Sequence, residues 1–195
     1  MAYIGMRNPV AAPITAYTEG SAITYGSGMV LGPAVAANLT FDVADNPDYG
    51  DDVIVDNDNG INGYNATLES THIGKEGRAM ALGWKAVGSP TTHYEVTGNK
   101  SPEVGWGFVH WGEENDEEVI QAYWFHRSQF SMNTIAAATK KKQVEWQHPR
   151  LNVQGMGVYI DNSGEVKYFD WMEFDSIAAA EAWLFAKANM TEVTT

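Results

Sequence analysis

The sequence predicts a mainly β fold, an antiparallel sandwich or partial barrel flanked by one or two helices. Period-two alternation of apolar and polar residues recurs along the chain, which marks strands with one buried and one wet face. A long hairpin carries aromatic rings on both faces, as an interior strand pair does. The chain then closes on an apolar, Ala-rich helix that must pack against a sheet. At 195 residues the length suits a single domain, residues 1–195, with a core of its own.

Residues 1–33 are rich in Gly, Pro, Ala and Thr, with Pro9, Pro13 and Pro33 as breakers. They predict an N-terminal arm in which residues 14–17 and 23–25 form short edge strands. Next, Val35, Ala37, Leu39 and Phe41 alternate with Ala36, Asn38, Thr40 and Asp42. Further on, Tyr64, Ala66 and Leu68 alternate with Asn65, Thr67 and Glu69. Two half-buried strands follow from these patterns. Between them lie Asp42, Asp45, Asp48, Asp51, Asp52, Asp56 and Asp58, with no Lys or Arg among them. Pro47, Gly50 and Asn59-Gly60 punctuate the stretch, so a long charged loop is expected. Loops beyond about 12–15 residues are either functional or disordered. Seven like charges repel one another, so this loop is expected to be unsettled in the isolated subunit and to find its partner in another copy.

Ile73, Gly77, Met80 and Trp84 fall on one helical face, predicting a helix over residues 73–84. A short strand is expected near residues 93–96. In the hairpin, Val104, Trp106, Phe108 and His110 face one way. Gly105 and Gly107 lie opposite, leaving room for a ring or another backbone. Residues 112–118 form an acidic tip. The return arm puts Tyr123, Phe125 and Arg127 on one face and Trp124, His126 and Ser128 on the other. Residues 131–142 read as a loop ending in Lys140, Lys141 and Lys142. A strand then runs from residue 143 towards 158, broken near Pro149, with Glu145 and Gln147 on its wet face. Residues 161–164 are a turn, and residues 175–188 are the closing helix, N-capped by Asp175 or Ser176.

The formal charge is −13, and no basic residue falls between Arg7 and Lys75. A nucleic-acid grip needs a basic face, which this balance excludes. Acidity also keeps a protein soluble, whatever else it does. No apolar run reaches the length of a membrane span. The first residues lack the charged start and apolar stretch of a signal peptide. There is no cysteine, hence no disulfide or thiolate site, and a cytosolic product fits.

Chemical signatures are absent from the pattern. Residues 56–60 superficially resemble a calcium loop, but Gly60 falls at the fifth position and Thr67 at the twelfth, where an EF-hand needs a ligand and Glu. The histidines lack metal spacing, and there is no Gly-x-Ser-x-Gly elbow or phosphate loop. Glu69 and Glu145 form a carboxylate pair only if the fold brings them together. The expectation is a protein that is not an enzyme and carries no metal or cofactor.

Several segments together resemble one family. Met1 to Arg7, Pro13-Ile14, residues 24–28, Asp45-Asn46-Pro47 with Tyr49 and Asp51-Asp52, and Asp58-Asn59-Gly60 are similar to the major tail (tail tube) protein of long-tailed phages of Gram-positive bacteria, those with non-contractile tails. So are residues 105–108, residues 122–125, Glu145-Trp146-Gln147 before Pro149, and Phe174-Asp175 leading into the Ala-rich helix. The match runs in order through nearly the whole chain, though none of its pieces is a catalytic signature.

The resemblance implies a tail-tube sandwich whose copies form homo-hexameric rings, with strands from all six joining an inner barrel. Rings stack into a hollow tube that conducts DNA out of the capsid without binding it specifically. It implies a virion protein made in the host cytoplasm, with tape-measure, terminator and distal tail proteins as further partners. The acidic loop would contact the adjacent ring. Asn38, Thr40, Asn65, Thr67, Glu69, Glu145 and Gln147, on the wet strand faces, are the candidate lining of the bore. Lys140, Lys141 and Lys142 are the candidate counter-patch for the acidic loop of a neighbour. Two alternatives stand beside this: a monomeric carbohydrate-binding or hydrolytic β-sandwich using its tryptophans and paired acids, and an acidic DNA mimic that occupies a basic partner.

Overall fold

In the computed structural model, residues 2–50, 53–58, 60–114, 117–132, 134–135 and 148–190 are described. The strands are β1 (Ala2–Ala16), β2 (Thr24–Tyr25), β3 (Met29–Val30), β4 (Ala34–Val43), β5 (Asn46–Gly50), β6 (Val53–Asp58) and β7 (Ile61–Ser70). Helix α1 (Lys75–Leu82) is followed by β8 (Lys85–Val87), β9 (His93–Glu95), β10 (Glu103–Glu114), β11 (Glu117–Ser131), β12 (Arg150–Gly155) and β13 (Phe169–Phe174). Helix α2 (Ile177–Lys187) comes last.

One antiparallel sheet dominates, in the order β2-β1-β10-β11-β12-β7-β4. Strand β3 adds to β1, and β13 pairs with the N-terminal half of β11 while β12 takes its C-terminal half. The sheet splits at β11 and folds over itself, so it does not close into a barrel. Two apolar clusters lie on opposite faces of β1, β10 and β11. One, holding Trp106, Phe125, Tyr64, Leu68, Phe130, Leu151 and Ile73, fills the space under β12, β7 and α1. The other, holding Val10, Ala12, Val109, Ala122, Trp124 and Leu184, lies under α2. The hairpin therefore is interior on both faces, as its double set of rings predicts.

Glycine creates two of these contacts. A Cβ on Gly105 would stand 2.6 Å from the Trp124 and Tyr25 rings, and one on Gly107 2.2 Å from the Tyr123 carbonyl oxygen and 2.7 Å from Leu184. Both positions admit the bulk expected from the sequence. Helix α1 is shorter than its periodicity suggests, because Gly83 ends it in the left-handed region at φ 72°. Ser176 caps α2 by accepting a hydrogen bond from the Ala179 amide at 3.2 Å.

Four elements differ from the expectations. Residues 2–16 are one strand of the main sheet, paired with β10 from Ala2↔Glu113 to Pro13↔Val104. Val10, Ala11 and Ala12 are fully buried there. Pro9 and Pro13 are accommodated at the bulged and terminal parts of the ladder, where a missing N–H costs least. The acidic stretch is not wholly irregular: β5 and β6 form a separate two-stranded ribbon, with Asp48 opposite Asp56. Residues 158 and 167 form only an isolated bridge, and the segment beyond it joins β11 as β13. Finally, a bulge lies in β11 opposite the step from Val104 to Trp106. It shifts the alternation, so Ser128 turns to the same core as Phe125 instead of sharing the face of Trp124.

Candidate assembly surfaces

The β4 and β7 candidates lie on one wet face, as alternation predicts. Asn38 stands opposite Thr67 and Thr40 opposite Asn65. Strand β12 extends the face, with Asn152 opposite Thr67, Gln154 opposite Asn65, and Arg150 opposite Glu69. Strand β11 adds Gln129 beside Gln154 and Ser131 beside Asn152. The result is a four-strand surface of amides and hydroxyls. Its two arginines are both paired: Arg150 Nε donates to Glu69 at 2.8 Å, and Arg127 donates twice to Glu103 at 2.8 Å. The Arg127 hydrogen bonds hold the Glu103 carboxyl below the usual carboxylate range. Glu69 is thus tied to Arg150. Asn152, Gln154, Gln129 and Ser131 were missed in the sequence, although Asn152 and Gln154 alternate with Leu151 and Val153 as a strand signal.

Asp42 and Asp45 are exposed at the end of β4, where the chain leaves the sheet. Asp48, Asp56 and Asp58 occupy positions on the β5–β6 ribbon. The ribbon is anchored by Ala44 N–H donating to the Gly60 carbonyl at 2.8 Å. Asp51 and Asp52 lie outside the described residues, as do Lys140, Lys141, Lys142, Glu145 and Gln147.

Strand β4 ends the sheet, and among the described residues no strand pairs with its outer edge. Its inner face, Val35, Ala37, Leu39 and Phe41, bounds a groove of about 600 Å³. The opposite wall is an aromatic ladder on β10, β11 and β13: Phe108, Tyr123, Phe125, Phe169 and Trp171. These rings stack on one another, with Phe108 and Tyr123 centroids 5.6 Å apart and Tyr123 and Trp171 6.4 Å apart. Phe41 stacks on Phe169 at 5.7 Å, bridging the two walls. Val35 is 43% exposed and Trp171 54%. Alternation alone marked Val35 and Phe41 as core, because it cannot say whether a facing layer is complete.

Behind the groove, Gln121 is buried and fixes two of the lining side chains. Its amide oxygen accepts from Tyr123 at 3.0 Å and bonds the His110 ring at 2.9 Å, while its amide nitrogen donates to Glu173 at 2.8 Å. Burial pushes the His110 pKa down, against the opposing effect of the Gln121 bond. On the other side of the sheet, His126 Nε2 stands 3.3 Å from Asp170, which also accepts from Lys187 of α2 at 2.6 Å. The neighbouring His126 ring, then Lys187, hold the Asp170 carboxyl well below its ordinary range despite partial burial. This set joins β11, β13 and α2.

Among the described residues, no group of three or more His, Asp or Glu converges as a metal set. No described helix is long and apolar enough to cross a membrane. What the surfaces offer is strand pairing, apolar contact and a neutral hydrogen-bonding face. Compared with protein-family models and with curated proteins, the chain matches none.

Proposed function

We propose that the chain is a structural, self-assembling subunit of a phage tail tube, forming hexameric rings that stack into a hollow conduit for DNA. The observation that carries this reading is the uncharged outer edge of β4, with which no described strand pairs, beside a broad neutral polar face. An unpaired strand edge is a template for another chain, and natural proteins normally blunt it with charge, Pro or a bulge. From Ala34 to Phe41 this edge has no charged residue and no proline. Joining copies in a ring removes such edges by closure.

The polar face suits a bore. Duplex DNA carries about one charge per 1.7 Å of axis and is gripped by unpaired Lys and Arg. Here both arginines of the face are neutralised by carboxylates, and the rest are amides and hydroxyls. DNA would find hydrogen-bonding groups but no net attraction. The projecting acidic ribbon then serves the contact between rings, with Lys140, Lys141 and Lys142 of a neighbour as counter-charge.

The aromatic groove favours a second reading, a carbohydrate-binding sandwich, since Tyr123 and the half-exposed Trp171 line it with aromatic rings of the kind that contact sugars. Electron microscopy and sedimentation of concentrated, purified protein separate the two. Rings or tubes are expected; a monomer at all concentrations that binds glycans refutes the tube.

A further inference from the structure

We propose that the groove between β4 and the aromatic ladder is a socket for an extended apolar segment of a second copy of this chain, which pairs with the β4 edge as it fills the groove. This rests on the tube reading and specifies one of its contacts.

Three observations point to that occupant. First, the groove is bounded by backbone as well as side chains. Among the described residues no strand pairs with the outer edge of β4, whose backbone runs along the rim carrying Val35, Ala37 and Leu39. A peptide strand satisfies the N–H and C=O groups of such an edge, and a compact ligand does not. Second, a strand added to β4 has the same two-residue period. Every second side chain would therefore enter the groove beside Val35, Ala37, Leu39 and Phe41, while the others join the polar face beside Asn38 and Thr40. The groove volume of about 600 Å³ lies in the range of sites that bury a bound group well, roughly 300–1,000 Å³. Third, two copies each of charge −13 repel, so contact is cheapest through uncharged surface. Apart from His110, held below its ordinary pKa by burial, the lining is apolar or aromatic save for Gly5, with no Asp, Glu, Lys or Arg.

The test fills the socket from inside and maps its occupant. Ala37→Trp places a ring in the open groove, and Val35→Lys puts a charge on its rim. Each is expected to raise the concentration needed for assembly by at least about tenfold, the effect of losing roughly 1.4 kcal/mol at a contact. Both should keep the circular dichroism spectrum and urea midpoint of the dilute protein. In parallel, benzoylphenylalanine at position 41 is irradiated in assemblies mixed from ¹⁵N-labelled and unlabelled protein. Cross-linked peptide pairs of mixed isotope composition support the proposal. Pairs of one isotope composition only, or variants that assemble like the wild type, overturn the socket while leaving the tube intact. A wild type that never assembles overturns both. Native mass spectrometry showing a retained small molecule, or saturable binding of a glycan in the groove, reassigns the site and overturns the socket.

Discussion

Tyr64→Phe is the sharpest perturbation of the core. The Tyr64 hydroxyl meets Ser128 Oγ at 2.5 Å and accepts from Trp106 Nε1 at 3.1 Å. Tyr64, Trp106 and Ser128 are at most 1% exposed. Burial pushes the Tyr64 pKa up, so the hydroxyl stays neutral across the usual pH range. Removing one oxygen strands two buried groups, each costing about 1–3 kcal/mol. The Ser128 hydroxyl can rotate, so its loss falls at the low end, whereas the Trp106 N–H is fixed by its ring. The sum is about 2–4 kcal/mol. A chain of this length loses about 2–4 °C per kcal/mol, so the melting temperature should fall by roughly 5–15 °C. Urea denaturation below the assembly threshold measures it, since association would otherwise add to apparent stability. Ser128→Ala in the Tyr64→Phe background should cost less than its effect alone, with a coupling of about 1 kcal/mol. A Tyr64→Phe variant within about 0.5 kcal/mol of the wild type would refute the network as a stabilising element.

Gly155→Ala should be at least as damaging, because a Cβ there would stand 1.8 Å from the Tyr64 ring. A loss of more than about 3 kcal/mol in the same assay is expected, and a neutral result would show that the ring can move aside. Asp170→Asn should lower stability at neutral pH. The folded-state pKa of Asp170 lies below its unfolded value, so its contribution is present above the ordinary carboxylate pKa and vanishes as pH falls through the depressed one. Urea midpoints of variant and wild type should therefore converge in strong acid; a constant gap would mean a packing defect. Replacing Lys140, Lys141 and Lys142 with Glu should impair stacking most at low salt, where unscreened charges act furthest. Tubes of normal length on electron micrographs at low salt would exclude the counter-patch.

The sequence revealed strands that have one partner face and one water face. In β4 from Ala37 to Asp42 and in β7 from Tyr64 to Glu69, apolar and polar residues alternate, and their faces could be assigned residue by residue. It was blind where that rule fails. Strand β1 is buried on both faces around Val10–Ala12 and carries two prolines, so no alternation betrayed it. The bulge in β11 reversed the face of Ser128, which a count by twos cannot anticipate. The groove was illegible for a different reason. Val35 and Phe41 have the pattern of core residues, yet both are exposed because no described element covers them. Gly105 and Gly107, by contrast, announced close approach before any partner was known.

The first strand also decides when the fold can close. Asn8 donates to Glu181 at 2.8 Å and Arg7 pairs with the same carboxylate, while Gly28 N–H donates to the Ala188 carbonyl at 2.9 Å. Strand β1 is thus clasped by a helix 173 residues further along the chain. Until α2 emerges, β1 has no lid and the sheet shows its apolar back to solvent. Closure of this face of the sheet therefore waits until α2 has been made, and removing either β1 or α2 would uncover the other's apolar contacts.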